Sequence, residues 1–276
     1  MDNQKLQQSH VERVTRKWWF FLSFVLLQFV VPPYASKGYR FPEEIGNVIN
    51  IALSYAFIYS HSELFPVFKI TPIILIVLII VFRNRVTRLF NIYVAFSYVL
   101  FAFGQSVAVT EKYGVAICTL NVIMFLAVAC FWAWEAIALQ NNFSPSKIPF
   151  RRYWIVPLMF VAFWYPVDLD TMKPDFNPLG LFVNVAGVTF CMMTPVYVGL
   201  LSLYWPKVNI STLRVTSLVG LIIALYNVVL NFCIEPSLLW WNGVLHIPLL
   251  SISLYGLILS LKKQSRKTQI NERIKQ

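Results

Sequence analysis

Charge is what this chain has least of: 13% of its 276 residues are Asp, Glu, Lys or Arg, against roughly 25% in soluble domains. Beside 58% hydrophobic and 16% aromatic residues and a mean hydropathy of +0.64, that scarcity excludes an ordinary water-soluble globule and indicates a polytopic membrane protein. Histidine is nearly missing too, with three in the whole chain. No HxxxH or HExxH spacing occurs, so no metal site and no cofactor are expected. Also absent are GxSxG, a Walker loop, a DxxD pair within an apolar run, and a lysine near the end of the last run, which removes the enzyme and retinal-protein classes those motifs define. Cys118, Cys130, Cys191 and Cys233 all lie in apolar runs without a CxxC pair. Placed on one helix, Cys118 and Cys130 would be about 18 Å apart, beyond disulfide reach, and all four read as small core residues. No repeat, heptad or low-complexity tract is visible.

What the sequence has is apolar runs long enough to cross a bilayer, which takes about 20 residues per helix. They lie at Trp18 to Tyr34, Leu64 to Phe82, Phe90 to Thr110, Val115 to Leu139, Tyr153 to Val167, Leu179 to Tyr204, Leu213 to Ile234 and Trp241 to Leu261. The expected fold is therefore all-α: a polytopic integral membrane helical bundle of about eight transmembrane helices. The first run follows "VTRK", yet "VVPPYASKG" puts Pro33 or bulky Tyr34 where a small residue would be needed upstream of a cleavage point, so it reads as an uncleaved anchor. Asn47 to Ser60, at 14 residues, is short for a crossing and reads as a re-entrant or interfacial helix, with a tilted ninth span as the alternative. This gives a cytoplasmic N-terminal tail over residues 1–17, one transmembrane domain over 18–261, and a basic cytoplasmic C-terminal tail over 262–276.

Lys and Arg collect on the cytoplasmic side of membrane proteins. With eight crossings, one side takes the two tails and the loops around Arg83 to Arg88, Lys147 to Arg152 and Lys207 to Arg214, and with them 18 of the 23 basic residues. The other side takes 8 of the 12 acidic residues against 5 basic ones, so the faces carry about +14 and −3, which sum to the net +11. Both termini are thus expected in the cytoplasm, in a plasma membrane. The basic residues are dispersed over five loops and tails, without a basic helix or an aromatic-basic motif, so no nucleic-acid partner is expected. The expected partners are the lipid bilayer, with anionic headgroups against the C-terminal "KKQSRKTQ", and a small solute.

The polar residues that remain in apolar context are the candidates for function, since polar groups in a membrane normally face the bundle interior or a wet cavity. In "NVVLNFCIEPSLLWWNGVLHIP", Asn227, Asn231 and Glu235 recur at i, i+4 and i+8, and Asn242 and His246 at i and i+4 of the next helix, with Ser253 further along. Helical spacing puts each set on one face at the same outer depth. Glu235 and His246 both titrate and sit on consecutive antiparallel helices, an arrangement suited to proton transfer or substrate hydrogen bonding. Asp168 stands at the mouth of a neighbouring span. The expected solute-binding set is Asn227, Asn231, Glu235, Asn242, His246 and Asp168. Gln105, Asn184, Cys191 and Thr194 can reach the same level, although amides in membrane helices often serve only to join neighbours. Trp132, Trp134, Trp240 and Trp241 read as interfacial anchors, and Glu135 as a residue snorkelling or meeting a loop arginine. Prolines 72, 157, 166, 195 and 248 bend or end the spans. The expected function is a transporter or binding protein for a small polar or cationic solute, using a polar outer-leaflet cavity. The alternatives are an intramembrane enzyme acting on a lipid or isoprenoid and a structural or assembly subunit.

If the loops holding the sequons at Asn142 and Asn209 are cytoplasmic, neither asparagine is modified in a glycosylating host. A mass shift removed by an amidase at either position overturns that orientation.

Overall fold

A computed structural model describes residues 2–144 and 148–262. Lys147 and the C-terminal residues from 263 on, with their expected headgroup contacts, lie outside the described residues. Helix makes up 73% of the structure and strand 5%, so the all-α expectation holds for the bundle and fails at one end of it.

Helix α1 (Asp2–Thr15) lies at one end, and α2 (Trp18–Val30) leaves from there. The chain then forms β1 (Tyr34–Ala35), α3 (Ile45–Ser54) and two short turns before returning along α4 (Phe65–Phe82). Arg83 breaks that helix at φ 57, and a turn through Val86 reverses the chain into α5 (Thr87–Gly104). The reversal is visible in the side chains: the rings of Phe68 and Phe96 stack at 6.3 Å, whereas a continuous helix would hold them about 42 Å apart. Strands β2 (Val107–Thr110) and β3 (Gly114–Ile117) precede α6 (Thr119–Ala138), followed by α7 (Ile155–Trp164), the single turn α8 (Gly180–Val183), and α9 (Phe190–Tyr204). Helix α10 (Ile210–Val228) widens into a π-helix over Val229–Ile234, and α11 (Pro236–Leu261) runs back.

The loops sort into two ends. At the basic end Arg16 donates to Leu261 O (3.2 Å), Asn142 N to Lys207 O (2.8 Å) and Asn84 Nδ2 to Asn142 Oδ1 (3.0 Å). Arg214, 1% exposed, joins Glu12 O (3.1 Å), Thr15 Oγ1 (2.8 Å) and Ser260 O (2.7 Å). The described starts and finishes of the chain therefore meet there. The opposite end carries an antiparallel sheet in the order β1-β3-β2. The core of the helical bundle between the two ends is aromatic: Phe125 stacks on Phe190 at 4.1 Å, and Tyr98, Phe101, Trp132 and Tyr197 belong to the same buried cluster.

Four segments are long and apolar enough to cross a membrane, or five if the bent pair Gly180–Val188 and Phe190–Tyr204 forms one span. The structure does not confirm eight. Helices α2 and α7 have 13 and 10 residues, so at 1.5 Å per residue neither covers a 30 Å hydrocarbon core alone. The runs expected to end at Thr110 and begin at Val115 were overextended. Val107, Val109, Val115 and Ile117 are β-branched and alternate with Ala108 and Ala116, both 0% exposed, a period that suits a strand. Gly114 closes the hairpin at φ 64, a left-handed value that glycine accepts without strain. Cys118 consequently precedes α6 instead of sharing its helix with Cys130. Cys130 and Cys233 are exposed, not core. Helix α3 covers the sheet with Val48 and Ala52, both 0% exposed, as an end cap. Glu44 fastens it, accepting from Arg40 N (2.8 Å), Lys112 Nζ (3.0 Å) and Tyr113 OH (3.2 Å). The Arg40 amide and the Lys112 ammonium draw its carboxyl down to about 2. Trp132 is no interfacial anchor: it is fully buried and donates to Thr216 Oγ1 at 3.0 Å.

Cysteines placed at Lys17, Arg85 and Lys207, in a background without native thiols, are expected to react with impermeant maleimide from one side of the membrane, and those at Lys37, Lys112 and Asp170 from the other. Any exchange between the two sets overturns the two-ended arrangement.

Candidate functional site

The site starts from a helix that stops early. In "FWYPVD", Tyr165 takes a left-handed φ of 51 and Pro166 follows, ending α7. A helix end leaves its last carbonyls without partners, and a low-dielectric interior makes that costly. Three elements supply donors. Lys69 of α4 donates to Phe163 O and lies over the Phe163 ring, 4.1 Å from its centroid. Asn184 donates to Trp164 O (2.6 Å) and Tyr165 O (3.1 Å), and Trp241 of α11 donates to Pro166 O (2.7 Å). Lys69 is 0% exposed and has no carboxylate partner among the described residues. Its charge is set against the negative end of the α7 dipole. Close packing brings α4 there: a Cβ on Gly187 would lie 2.6 Å from Phe68 O.

From the same helix end a line of polar groups crosses to α10 and α11. Tyr165 OH donates to Asn242 Oδ1 (3.0 Å), Asn242 Nδ2 to Asn231 Oδ1 (3.0 Å), and Asn231 Nδ2 to Asn227 O (2.7 Å). Asn227 bonds Ile223 O at 2.9 Å and reaches Cys191 Sγ at 3.8 Å. His246 Nδ1 lies 2.7 Å from Asn242 O, and its Nε2 has no hydrogen-bond partner among the described residues. Asn231 and His246 are 0% and 5% exposed, so the line faces inward. Gln105, just past the end of α5, accepts from Phe190 N at 2.9 Å and makes no bond to this line among the described residues.

The structure thus brings together Asn227, Asn231, Asn242 and His246 of the expected set, and leaves out two. Glu235 is exposed and precedes α11, so His246, eleven residues on, lies about 16 Å further along. The reason is that helix resumes at Pro236, five residues before the expected start at Trp241, and leaves Glu235 at the non-helical junction (φ −126) between the π-helix and α11. Asp168 sits in the loop beyond α7, where its Oδ1 accepts from Asp170 N (2.9 Å) and Thr171 N (3.0 Å). Those bonds, Thr171's foremost, hold its carboxyl below the usual range. It shapes a turn. Asn184 does not share a helical face with Cys191 and Thr194, which lie together in α9, because the chain bends by 96° between Gly180–Val188 and Phe190–Tyr204.

A second polar cluster, at the basic end, was missed from the sequence. Glu135 is 0% exposed and meets no arginine among the described residues; Asn141 N and Asn209 Nδ2 each donate to it at 2.6 Å. Asn91 Nδ2 bonds Glu135 O (3.3 Å), Asn141 Nδ2 bonds Asn91 Oδ1 (3.3 Å), and Asn209 N donates to Asn141 Oδ1 (2.8 Å). Asn209 also caps α10, accepting from Ser211 N and Thr212 N. The available signal was "NIS" read as a helix N-cap instead of a sequon. Every group in this cluster is satisfied, which makes it a clasp between α5, α6 and α10.

No known protein family, curated protein or solved structure matches the chain.

Replacing Lys69 by Met removes a buried donor from the α7 terminus and is expected to cost about 1–3 kcal/mol, read as a shifted midpoint in SDS mixed-micelle unfolding. An unchanged midpoint would show that Lys69 does not cap the helix.

Proposed function

We propose that this protein is a membrane carrier or binding protein for a small polar solute, held where Tyr165, Asn227, Asn231, Asn242 and His246 converge. The observation that carries the reading is the coincidence at one level of three breaks in regular helix: the early end of α7, the 96° bend before α9 and the π-helix after α10. Irregular backbone within a membrane is tolerated only where protein or water satisfies it. Carriers place solutes at such interruptions, and π-turns recur at functional sites. The inward direction of the amide line speaks against an assembly subunit, which would turn its polar stripe toward a partner. An intramembrane enzyme is less well supported: the line offers amides, a phenol and an imidazole, with no carboxylate to act beside His246.

The geometry also narrows the solute. Both carboxylates of the expected set lie outside the cluster, and the cation beside it, Lys69, is buried. A neutral or anionic solute fits better than a cationic one. For the surrounding topology we take eight passes, along α2, α4, α5, α6, α7, α9, α10 and α11, in a plasma membrane, with the basic end and both termini cytoplasmic. The positive excess of that end supports the assignment.

A thermal-shift screen of the purified protein against neutral and anionic metabolites should give hits that Asn242→Ala and His246→Ala abolish, while the unliganded Tm stays within a few degrees of the wild type. Retained binding in both variants sinks the proposal, and loss of folding in step with binding reassigns the line to structure.

A further inference from the structure

A groove of about 500 Å³ runs between α5 and α6 near the basic end, lined by Arg88, Ile92, Ala95, Ala133, Ala136 and Ile137. It belongs neither to the amide line nor to the Glu135 clasp. Ile92 and Ile137 are 51% and 71% exposed, and both helices lie in segments apolar enough to cross a membrane, so the groove opens toward lipid. Three alanines at its floor leave a trench where larger side chains would have filled the gap between the helices.

We propose that this groove binds one anionic phospholipid, its acyl chain on Ala95, Ala133 and Ala136 and its phosphate on Arg88. Polarity along the groove argues for it. Only the end nearest the basic loops carries a charge, and everything further in is hydrocarbon, the same order as in a phospholipid. The distance agrees: from Arg88 to Ala95 is about 10 Å along α5, within one leaflet of a 30 Å core. Arg88 is exposed and has no acidic partner among the described residues. Among the described residues the one ion pair joins Lys112 to Glu44 at the opposite end. It stands in the first turn of α5, where the helix dipole adds to the attraction for an anion, and guanidinium suits the geometry of a phosphodiester. Arg83 and Arg85 are exposed beside it, so the mouth of the groove is a positive surface that favours an anionic headgroup over a zwitterionic one.

The test uses the full chain reconstituted in phosphatidylcholine vesicles with spin-labelled phosphatidylglycerol or phosphatidylcholine as probes, reading the motionally restricted fraction. The wild type should prefer phosphatidylglycerol about fivefold. Arg88→Gln should bring the preference close to one, Arg85→Gln should leave most of it, and Ala133→Phe, which fills the trench, should reduce the restricted fraction of both probes. Arg88 and Ala133 are exposed, so each variant is checked for an unchanged Tm. Wild-type preference in Arg88→Gln overturns the proposal, as does an equal loss in Arg85→Gln, which would mean diffuse attraction without a site. If Ala133→Phe changes the oligomeric state by light scattering while lipid restriction stays the same, a second copy of the chain occupies the groove and the proposal fails.

Discussion

A helix that ends inside an apolar medium leaves carbonyls with no water to take them, and the way this chain answers that constraint organises the rest of the molecule. Cations do much of the work. Arg152, 5% exposed, gathers Ser202 O, Leu203 O and Trp205 O at the end of α9, at 3.4, 3.3 and 2.6 Å. Arg214 bridges the last carbonyls of α1 and α11, Arg16 adds to α11, and Lys69 closes α7. In each case a positive charge meets the negative end of a helix dipole as well as a lone pair. Because each cation comes from a different element than the terminus it caps, every cap is also a tertiary link. At the basic end Glu135, Asn91, Asn141 and Asn209 do the same with neutral donors and one carboxylate, joining the end of α6 to the start of α10.

This constraint explains why the helices can be interrupted where they are. Pro166 and the left-handed Tyr165 end α7 short, at a cost that would be several kcal/mol for carbonyls left bare in hydrocarbon. Lys69, Asn184 and Trp241 remove that cost, and in doing so they fix three other segments around the break. Asn184 then caps the short turn Val185–Val188 that leads to the bend into α9, its Oδ1 accepting from Ala186 N at 3.1 Å while its amide holds α7. The freed side chain of Tyr165 points at Asn242 and starts the amide line. The candidate site is therefore a consequence of the capping.

Much of this architecture was legible in the sequence because hydrocarbon thickness acts on composition directly. Each expected apolar run contains a helix, and the described basic loops gather at one end. What local pattern could not convey was pairing at a distance. The strands at 107–110 and 114–117 are as apolar as the helices beside them, and only their two-residue alternation and Gly114 mark them. Trp132 looks like an anchor by residue type but is core by position. In the candidate site, helical spacing brings Asn227, Asn231, Asn242 and His246 together even though Asn231 lies inside the π-helix, whereas Glu235 falls at the non-helical junction that follows it. Nothing in the sequence marks Lys69, since its partner is a backbone carbonyl ninety-four residues away and no side-chain motif records that.

The amide line is closed on itself in this structure, and that bears on how it could hold a solute. Each of its bonds exchanges one neutral donor–acceptor pair for another and contributes about 1 kcal/mol net. A solute that brings its own donors and acceptors can replace Asn242 to Asn231 or Tyr165 to Asn242 contacts one for one, so entry need not leave a buried group unsatisfied. A charged pair in the same place would resist such exchange, because separating it exposes two uncompensated charges. Glu235 lies outside the line and Lys69 is tied to Phe163, which leaves amides, one phenol and an imidazole with an open Nε2 as the groups that can change partners. The fixed charges hold the frame, and the neutral groups at its centre are the ones free to be traded.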